Sequence, residues 1–445
     1  MNRPNVIVFM IDTFRPDHLE PWGPPSRPTP NFKRLADEGV FFRDFFAHMP
    51  SSHPSRASVL TGRDPHTCGM RVNSRPLPAE ETTLTQLLKD AGYLTAATRS
   101  ESFPPGLGRG FQEVDLVRKL FASGKRPWEI VSEIPPCSDA EARSQIAQDT
   151  AALIAWLKEY VSNPDRRGRP FFFWADVEDV HGAWRPPPPF NTMYTTEPYD
   201  GPDVSTQPTY APGMPEEQKR HAIALYDGMV AFVDKYIGIL LDALEEMSLA
   251  ENTLLIVMSD HAGSMGEHDM WGKMSTLYDP VLRSVLVMRQ RGVLPAGVQT
   301  SGLAIMNDVF ATVVEHVGLA LPDAAKGYCT SLRPLWEGKR QVRDQIPLEF
   351  NLHRGTVAKG IRTERWKYIY NRWVSEERWN SGISPAEIWR SKGWARVMLF
   401  DLENDPGETV NVLDLYPEVA QEMQERLINW LIDSENNLPA PMPEE

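Results

Sequence analysis

The chain has 445 residues, 41% hydrophobic and 24% charged, which are proportions typical of a folded globular protein. Its formal net charge is −14, from 46 basic and 60 acidic residues, and an acidic surface repels polyanions, so we expect no nucleic-acid partner. No segment predicts a membrane span, and the first residues show no small-residue cleavage site. Only three cysteines occur, and they are widely spaced (Cys68, Cys137 and Cys329). Together with these features, the small number of cysteines favours a cytoplasmic location.

Three apolar runs predict strands that are buried on both faces of a parallel sheet, and helical segments lie between them. The runs are residues 6–11, 171–175 and 254–258. A first helix is predicted to open at Thr29, whose hydroxyl would cap it, with Pro30 in its first turn. Further helices are expected over residues 82–91 and 216–247, the last one broken or bent. This alternation indicates an α/β fold, a large mixed but mostly parallel sheet sandwiched by helices.

Polar side chains follow each of the three apolar runs. Asp12 ends the first, Asp179 and His181 come shortly after the second, and Asp260 and His261 end the third. Ligands in open α/β sheets bind beyond the carboxyl ends of the strands, so these side chains are expected to converge. One acidic residue at a strand end commonly caps the next helix, whereas carboxylates and histidines at three ends together predict a site.

The pattern changes near residue 345, where short alternating segments predict a second, smaller α+β unit. We therefore expect a catalytic domain over residues 1–345 and a C-terminal subdomain over 346–445, with antiparallel strands and a final helix over 417–434. Within it, residues 372–397 read as an insertion containing Trp373, Trp379, Trp389 and Trp394. Such residues are enriched at recognition surfaces, so the insertion is predicted to border the substrate pocket or an oligomer interface; plain packing is the alternative.

The segment S-S-H-P-S-R-A-S-V-L-T-G-R at residues 51–63 is the most specific in the chain. Pro54 suits a first helical turn, which places Ser52 just before a helix N-terminus, where free amides and the helix dipole favour anions. Arg56 in that turn opposes the dipole, and a bound oxygen-rich group would explain it. Taken in isolation, Ser52 could equally be a capping residue and Arg56 a surface charge.

These residues resemble the signature of the sulfatase family within the alkaline phosphatase superfamily, C/S-x-P-x-R followed by an apolar helix and T-G-R. The similarity extends over most of the chain and implies an alkaline phosphatase-like fold. The further matching segments are residues 5–12, 29–40, 259–273, 362–369 and 399–409.

The resemblance implies a nucleophile and a metal site. In that family a Cys or Ser at the position of Ser52 is oxidised to formylglycine, whose hydrate attacks sulfur and forms a covalent sulfo-enzyme. A divalent cation is held at the positions of Asp12, Asp260 and His261, with residue 52 completing the ligand set. Oxygen ligands suit Ca²⁺, and the histidine leaves Mn²⁺ open.

Other roles follow from the same resemblance, position by position. Arg56 matches the arginine that orients the formylglycine, and Lys273 matches the lysine that contacts sulfate oxygens. His181 matches the histidine near the leaving group, a general-acid candidate. For His268 two roles stay open, namely support of the residues that form the site and a purely structural role.

The chain departs from the family pattern in three places. Thr13 follows Asp12 where many members have a second aspartate, and residues 97–102 replace a segment that supplies a lysine and a histidine. Arg99 is a candidate substitute for that lysine, while the histidine has no counterpart. Both departures resemble the phosphonate monoester hydrolase and phosphodiesterase branch. Finally, Ser52 in place of cysteine requires the anaerobic, radical-type maturation system.

Three functional hypotheses follow. The first is a sulfuric ester hydrolase that cleaves a sulfate monoester, and the second a phosphodiester or phosphonate monoester hydrolase using the same site. The third, from a different class, is a catalytically silent binding protein that kept the fold. The expected partner is a small anionic ester substrate, with no nucleic acid and no membrane; a homo-oligomer and a maturation enzyme are open.

Overall fold

The computed structural model describes residues 3–23, 27–195, 198–206, 210–273, 276–352, 355–372 and 395–435. The strands are β1 (Asn5–Ile11), β2 (Val40–Phe42), β3 (Phe45–Phe46), β4 (Leu94–Ala97), β5 (Phe171–Val177), β6 (Thr253–Ser259), β7 (Ser264–Met265), β8 (Trp271–Gly272), β9 (Leu286–Arg289), β10 (Val298–Thr300), β11 (Ala304–Ile305), β12 (Ile346–Leu352), β13 (Gly355–Arg362), β14 (Trp366–Asn371) and β15 (Val397–Asp401). The helices are α1 (Pro30–Asp37), α2 (Ser52–Thr61), α3 (Leu84–Asp90), α4 (Leu116–Leu120), α5 (Pro127–Ile130), α6 (Asp139–Ala142), α7 (Gln145–Ser162), α8 (Glu216–Glu246), α9 (Asp279–Leu282), α10 (Met306–His316), α11 (Arg333–Trp336) and α12 (Pro417–Glu435).

A seven-stranded sheet in the order β10-β2-β9-β6-β1-β5-β4 forms the centre of the molecule. The strand β9 runs antiparallel to both of its neighbours, and the other adjacent pairs are parallel. The three predicted buried strands are its central members, with β1 lying between β5 and β6. The predicted mixed, mostly parallel sheet is therefore confirmed.

The apolar runs are continuous because both faces of the sheet are covered. In β1, Ile7 and Phe9 pack into one core with residues of α7 and α8, while Val6 and Val8 pack into a second core with residues of α2 and α10. Since successive strand residues point to opposite faces, every position of such a strand must be apolar. The helix α2, which begins at Ser52, is therefore held by packing against one face of this sheet.

The helix α8 runs without a break from Glu216 to Glu246, so the prediction of a broken helix is wrong, while the bend stays a prediction. Its glycines mark close approaches: a Cβ on Gly228 would lie 2.4 Å from the carbonyl oxygen of Phe190, and one on Gly238 2.5 Å from Asn31 Oδ1. They serve packing, which is why they do not interrupt the helix. Among the described residues, no helix combines the length and apolarity needed to cross a membrane.

The start of α1 is capped from another helix. Thr29 precedes α1 as predicted, but its hydroxyl accepts a hydrogen bond from the Glu20 amide at 2.8 Å and does not cap the helix. The carboxylate of Asp234 on α8 takes that role, accepting the amides of Asn31 and Phe32 at 3.2 and 2.8 Å. The expected capping bond of Thr29 is therefore wrong, because a long-range carboxylate satisfies the free amides.

Replacing Asp234 with alanine is expected to lower the free energy of unfolding by about 1–2 kcal/mol, the usual cost of losing a helix cap. Asp242→Ala is a matched control on the same helix, since its carboxylate makes an exposed ion pair with Arg34. Such pairs contribute roughly 0–1 kcal/mol. Urea unfolding of both variants measures the difference, and equal stabilities would contradict the capping role.

The C-terminal residues form a four-stranded antiparallel sheet in the order β12-β13-β14-β15, with α12 packed on β13 and β14. A third apolar cluster joins β12–β15 to residues 277–282 and 303–305. The smaller antiparallel sheet is as predicted, while the boundary at residues 345/346 stays a prediction. Of the insertion at residues 372–397, positions 373–394, including its four tryptophans, lie outside the described residues.

Candidate active site

The ends of β1 and β6 bring three predicted metal ligands together. Asp12 follows β1, Asp260 and His261 follow β6, and these two strands are parallel neighbours. All three side chains are buried, and their ligand atoms lie within 4.8 Å of one another. The expected convergence at the carboxyl edge of the sheet is thus present for this pair of strands.

Ser52 is the first residue of α2, one position further into the helix than the sequence suggested, since Ser51 occupies the N-cap. Its hydroxyl lies 2.8 Å from Asp12 Oδ2, 3.3 Å from His261 Nε2 and 3.0 Å from Lys273 Nζ. Only 6% of Ser52 is exposed. Four of the predicted site residues therefore meet at one oxygen atom.

Arg56, one turn along α2, is 1% exposed and binds carboxylates of the protein itself. Its guanidinium donates to both oxygens of Asp176 at 2.6 Å, to Asp260 Oδ2 at 3.1 Å and to Asp12 Oδ2 at 3.4 Å. The oxygen-rich group that explains this arginine thus consists of the strand-end aspartates. A buried guanidinium with a bidentate partner fixes the position of α2 against the sheet.

Asp176 was missed by the sequence reasoning. It lies in β5 on the same face as Phe172 and Trp174, and the indole of Trp174 donates to its Oδ2 at 3.1 Å. An acidic residue inside an otherwise apolar strand was the available signal, because a buried charge requires a partner. The strand was instead read only as far as Ala175.

The ring of His261 is oriented by the backbone. Its Nδ1 lies 2.8 Å from the carbonyl oxygen of Ala262, which can only accept, so Nδ1 carries the proton and Nε2 presents a lone pair. Burial, together with the charge of Lys273, lowers the pKa of His261 to about 3. The ring is therefore neutral and able to ligate a cation through Nε2.

The two strand-end aspartates have opposite pKa shifts. Burial opposes ionisation of Asp12, but the charges of Lys273 and Arg56 outweigh it, so the pKa of Asp12 lies well below its usual range. Burial and then the neighbouring charge of Asp12 raise the pKa of Asp260. Two buried carboxylates facing one neutral imidazole nitrogen form a hard, anionic ligand set, and a divalent cation fits it.

His181 lies in the loop after β5, and its side chain is exposed. Although the residue is exposed, neighbouring protein atoms still desolvate its imidazole, and this desolvation, followed by the charge of Lys273, lowers the pKa of His181, while Asp12 and Asp260 act in the opposite direction. The histidine is therefore at the edge of the same site and electrostatically coupled to it. Lys273 donates a hydrogen bond to the Ser52 hydroxyl, whereas His181 makes no such bond to the serine or to the three candidate ligands.

Two residues discussed from the sequence are engaged elsewhere. Asp179 accepts the amides of Gln145 and Ile146 at 3.1 and 2.6 Å, so it caps α7 and its predicted place among the converging groups is wrong. His268 lies 3.1 Å from the Gly407 carbonyl through Nε2 and stacks on Tyr278 with ring centroids 4.1 Å apart. Its contacts are structural.

Solved structures of similar fold include two phosphonate monoester hydrolases. That of Agrobacterium radiobacter covers 97% of this chain and 96% of its own at 24% identity, with a TM-score of 0.75. The structure from Silicibacter pomeroyi matches 98% of this chain and 96% of its own, at 22% identity and with a TM-score of 0.72. These similarities show that the chain has the alkaline phosphatase-like fold.

The sulfatase family model matches residues 4–319, and the chain belongs to this family. A Δ4,5-hexuronate-2-O-sulfatase of Bacteroides thetaiotaomicron is 24% identical over 98% of this chain and 90% of its own length. A choline-sulfatase of Rhizobium meliloti is 24% identical over 93% of this chain and 83% of its own length. The protein is thus a hydrolase acting on ester bonds, in a family for which metal dependence is typical.

Proposed function

We propose that this protein hydrolyses sulfate monoesters through residue 52, with Asp12, Asp260 and His261 holding a divalent cation. The observation that carries the proposal is the environment of the Ser52 oxygen, which a carboxylate, a neutral imidazole and an ammonium group approach within 3.3 Å. Such an oxygen is poised to attack an anionic ester while its own negative charge is stabilised. Membership of the sulfatase family supports sulfate as the group transferred.

Each side chain has a distinct part in the proposed reaction. Lys273, whose Nζ lies 3.0 Å from the Ser52 oxygen, neutralises charge that develops on the transferred group. Arg56 holds the aspartates in place, so its contribution is positioning. His181 at the edge of the site is the proposed general acid, which donates a proton to the departing alcohol. A bound divalent cation would supply Lewis-acid activation of the residue-52 oxygen.

The cation is proposed as Ca²⁺, since two carboxylates and the oxygen of residue 52 are hard ligands. The nitrogen of His261 keeps Mn²⁺ as the alternative. We further propose that Ser52 is converted to formylglycine, whose hydrate provides one hydroxyl for attack on sulfur and another for release of sulfate.

Phosphonate monoester or phosphodiester hydrolysis at the same site is the second candidate. It is favoured by Thr13, which stands where a further carboxylate ligand is usual in sulfatases and whose hydroxyl donates to Asp12 Oδ1 at 2.6 Å. It is also favoured by Arg99, which pairs with Asp149 at 2.8 Å and not with the serine or the candidate ligands. The relative rates of the purified protein on a sulfate monoester and a phosphonate monoester would separate the two functions.

Conversion of Ser52 is expected to appear as the loss of two hydrogens from the tryptic peptide of residues 44–56. Tandem mass spectrometry of protein from an anaerobically grown host with the radical-type maturation system measures it. The peptide contains three serines, so matched variants assign the change: Ser51→Ala should keep it and Ser52→Ala should lose it. An intact Ser52 in protein that nonetheless cleaves esters would show that the alcohol itself is the nucleophile.

A further inference from the structure

The turn that follows β1 bends at Thr13, whose backbone has a φ of +58°. Such a positive φ is rare for a residue branched at Cβ, so contacts from the surroundings have to hold it. The turn joins Asp12, a candidate ligand, to Arg15. It also packs on Gly263 in the loop after β6, where a Cβ would lie 3.0 Å from Thr13 Cγ2. The backbone next to Asp12 is therefore held in an unusual conformation.

Thr13 bonds both strand-end aspartates. Its amide donates to Asp260 Oδ1 at 3.2 Å, and its hydroxyl donates to Asp12 Oδ1 at 2.6 Å. Asp12 Oδ2, the other oxygen of that carboxylate, accepts the Ser52 hydroxyl at 2.8 Å. Asp260 Oδ2 accepts the Arg56 guanidinium at 3.1 Å. Thr13 and α2 thus hold opposite oxygens of the two carboxylates, which fixes the rotation of each.

The hydroxyl of Tyr226 on α8 holds the same turn. It donates to the Thr13 carbonyl oxygen at 3.2 Å and accepts the Arg15 amide at 2.9 Å, so one oxygen atom clamps both ends of the turn. Tyr226 is fully buried, and its ring meets the rings of His18 and Trp184 edge to face, with centroids 4.9 and 5.1 Å apart. The phenol is therefore a fixed point against which the turn is set.

The angle φ of Thr13 relates its amide to the rest of the residue. With the amide bonded to Asp260, a φ of +58° brings the hydroxyl to Asp12 and the carbonyl oxygen to Tyr226. Relaxation to a negative φ would rotate the side chain and the carbonyl group together, away from these partners. The bond from Tyr226 thus stabilises the setting that orients both aspartates.

We propose that Tyr226 is a positioning residue for the cation site. Its hydroxyl keeps Thr13 in the left-handed conformation, and Thr13 in turn holds the carboxylates of Asp12 and Asp260 in the orientation that ligates the cation. This rests on the proposed function for the presence of the cation. Tyr226 bonds the turn and neither carboxylate, so it acts through the backbone.

Tyr226→Phe removes one oxygen atom and keeps the buried ring. We expect it to weaken binding of Ca²⁺ about 10- to 100-fold, the usual effect of removing a group that orients a metal ligand. Tyr236→Phe is the matched control, since Tyr236 is also fully buried on α8 and its hydroxyl lies 3.7 Å from Cys137 Sγ. It should bind Ca²⁺ as the unmodified protein does. Calorimetric titration of the metal-free proteins with Ca²⁺, and with Mn²⁺ in parallel, measures the affinities.

A second substitution tests whether the tyrosine acts through the backbone of residue 13. Glycine adopts a positive φ without strain, so in a Thr13→Gly background the same Tyr226→Phe change should alter the affinity by at most a few-fold. An equal loss in both backgrounds would overturn the proposal, because the tyrosine would then not act through this conformation. A merely structural tyrosine would lower the thermal midpoint and leave the affinity unchanged, which would overturn it as well.

Hydrogen exchange of the Thr13 amide gives a readout that needs no cation. In the metal-free proteins this amide should exchange faster in Tyr226→Phe than in Tyr236→Phe, since its bond to Asp260 loosens with the turn. Mass spectrometry with electron-transfer fragmentation resolves it, and unchanged exchange would overturn the positioning role. If the unmodified protein binds neither Ca²⁺ nor Mn²⁺, the proposed ligand set fails, and the exchange result alone decides the role of Tyr226.

Discussion

Replacing Asp260 with alanine is expected to remove the bound divalent cation and lower turnover by at least about 10³-fold, with the fold retained. Asp260 provides one of the three clustered candidate ligands. Its Oδ1 also accepts hydrogen bonds from the backbone amides of Thr13 and His261, at 3.2 and 2.8 Å. A site left with one carboxylate and one imidazole nitrogen holds a hard cation poorly. Arg56 keeps its bidentate bond to Asp176, so α2 stays anchored.

Metal content after dialysis, measured by plasma mass spectrometry, checks this expectation together with the thermal midpoint. Asp149→Ala is a matched control, because Asp149 is also fully buried, is paired with an arginine, and has a pKa raised by burial to about 7. It should keep full metal occupancy. Full occupancy in Asp260→Ala as well would end the proposed ligand set.

Replacing Lys273 with methionine is expected to lower kcat by about 10²–10³-fold while raising KM much less. The ammonium group lies 3.0 Å from the Ser52 hydroxyl and 3.8 Å from Asp12 Oδ1, so it faces the point where charge develops. An interaction that strengthens in the transition state acts on kcat, and loss of one oxyanion donor costs about 2.7–4 kcal/mol. Methionine preserves the length of the side chain without the charge.

The control for this variant removes an equal charge elsewhere. Lys326→Met breaks an exposed ion pair with Asp323 and changes the net charge of −14 by the same unit. Steady-state kinetics of both proteins on one sulfate ester distinguish a local effect from a general one. Unchanged turnover in Lys273→Met would make this lysine a structural residue.

The centre of the site could be predicted because it follows the ends of apolar strands and a specific motif. Asp12, Asp260 and His261 end buried runs, and Ser52 begins the motif helix, so these positions in the sequence predicted the three clustered candidate ligands and the serine whose oxygen contacts two of them, Asp12 and His261. The same reasoning failed for Asp179, which follows β5 but caps α7. Strand-end position gives proximity to an edge, and it does not say which way a side chain turns.

The remaining errors share a physical cause, which is long-range contact, by hydrogen bonding or by packing, that the local sequence pattern does not encode. Asp234 caps α1 from 202 positions away, displacing Thr29 from that role. Asp176 pairs with Arg56 across 120 positions, a partner that the residues adjacent in sequence do not identify. The continuity of α8 similarly depends on neighbours that accommodate its glycines.

The pairing of β1 has a consequence for the order of events during synthesis. Phe9 in this strand pairs with Ala175 on one side and Val257 on the other, so the central strand waits for both partners to emerge. At 5–20 residues per second, about 200 residues separate the emergence of residue 52 from that of β6, an interval of roughly 10–40 s. In the folded chain Ser52 is 6% exposed. A maturation enzyme that needs an extended peptide would therefore have to act before the central sheet forms, so the rates of translation and folding would together set the fraction of protein converted.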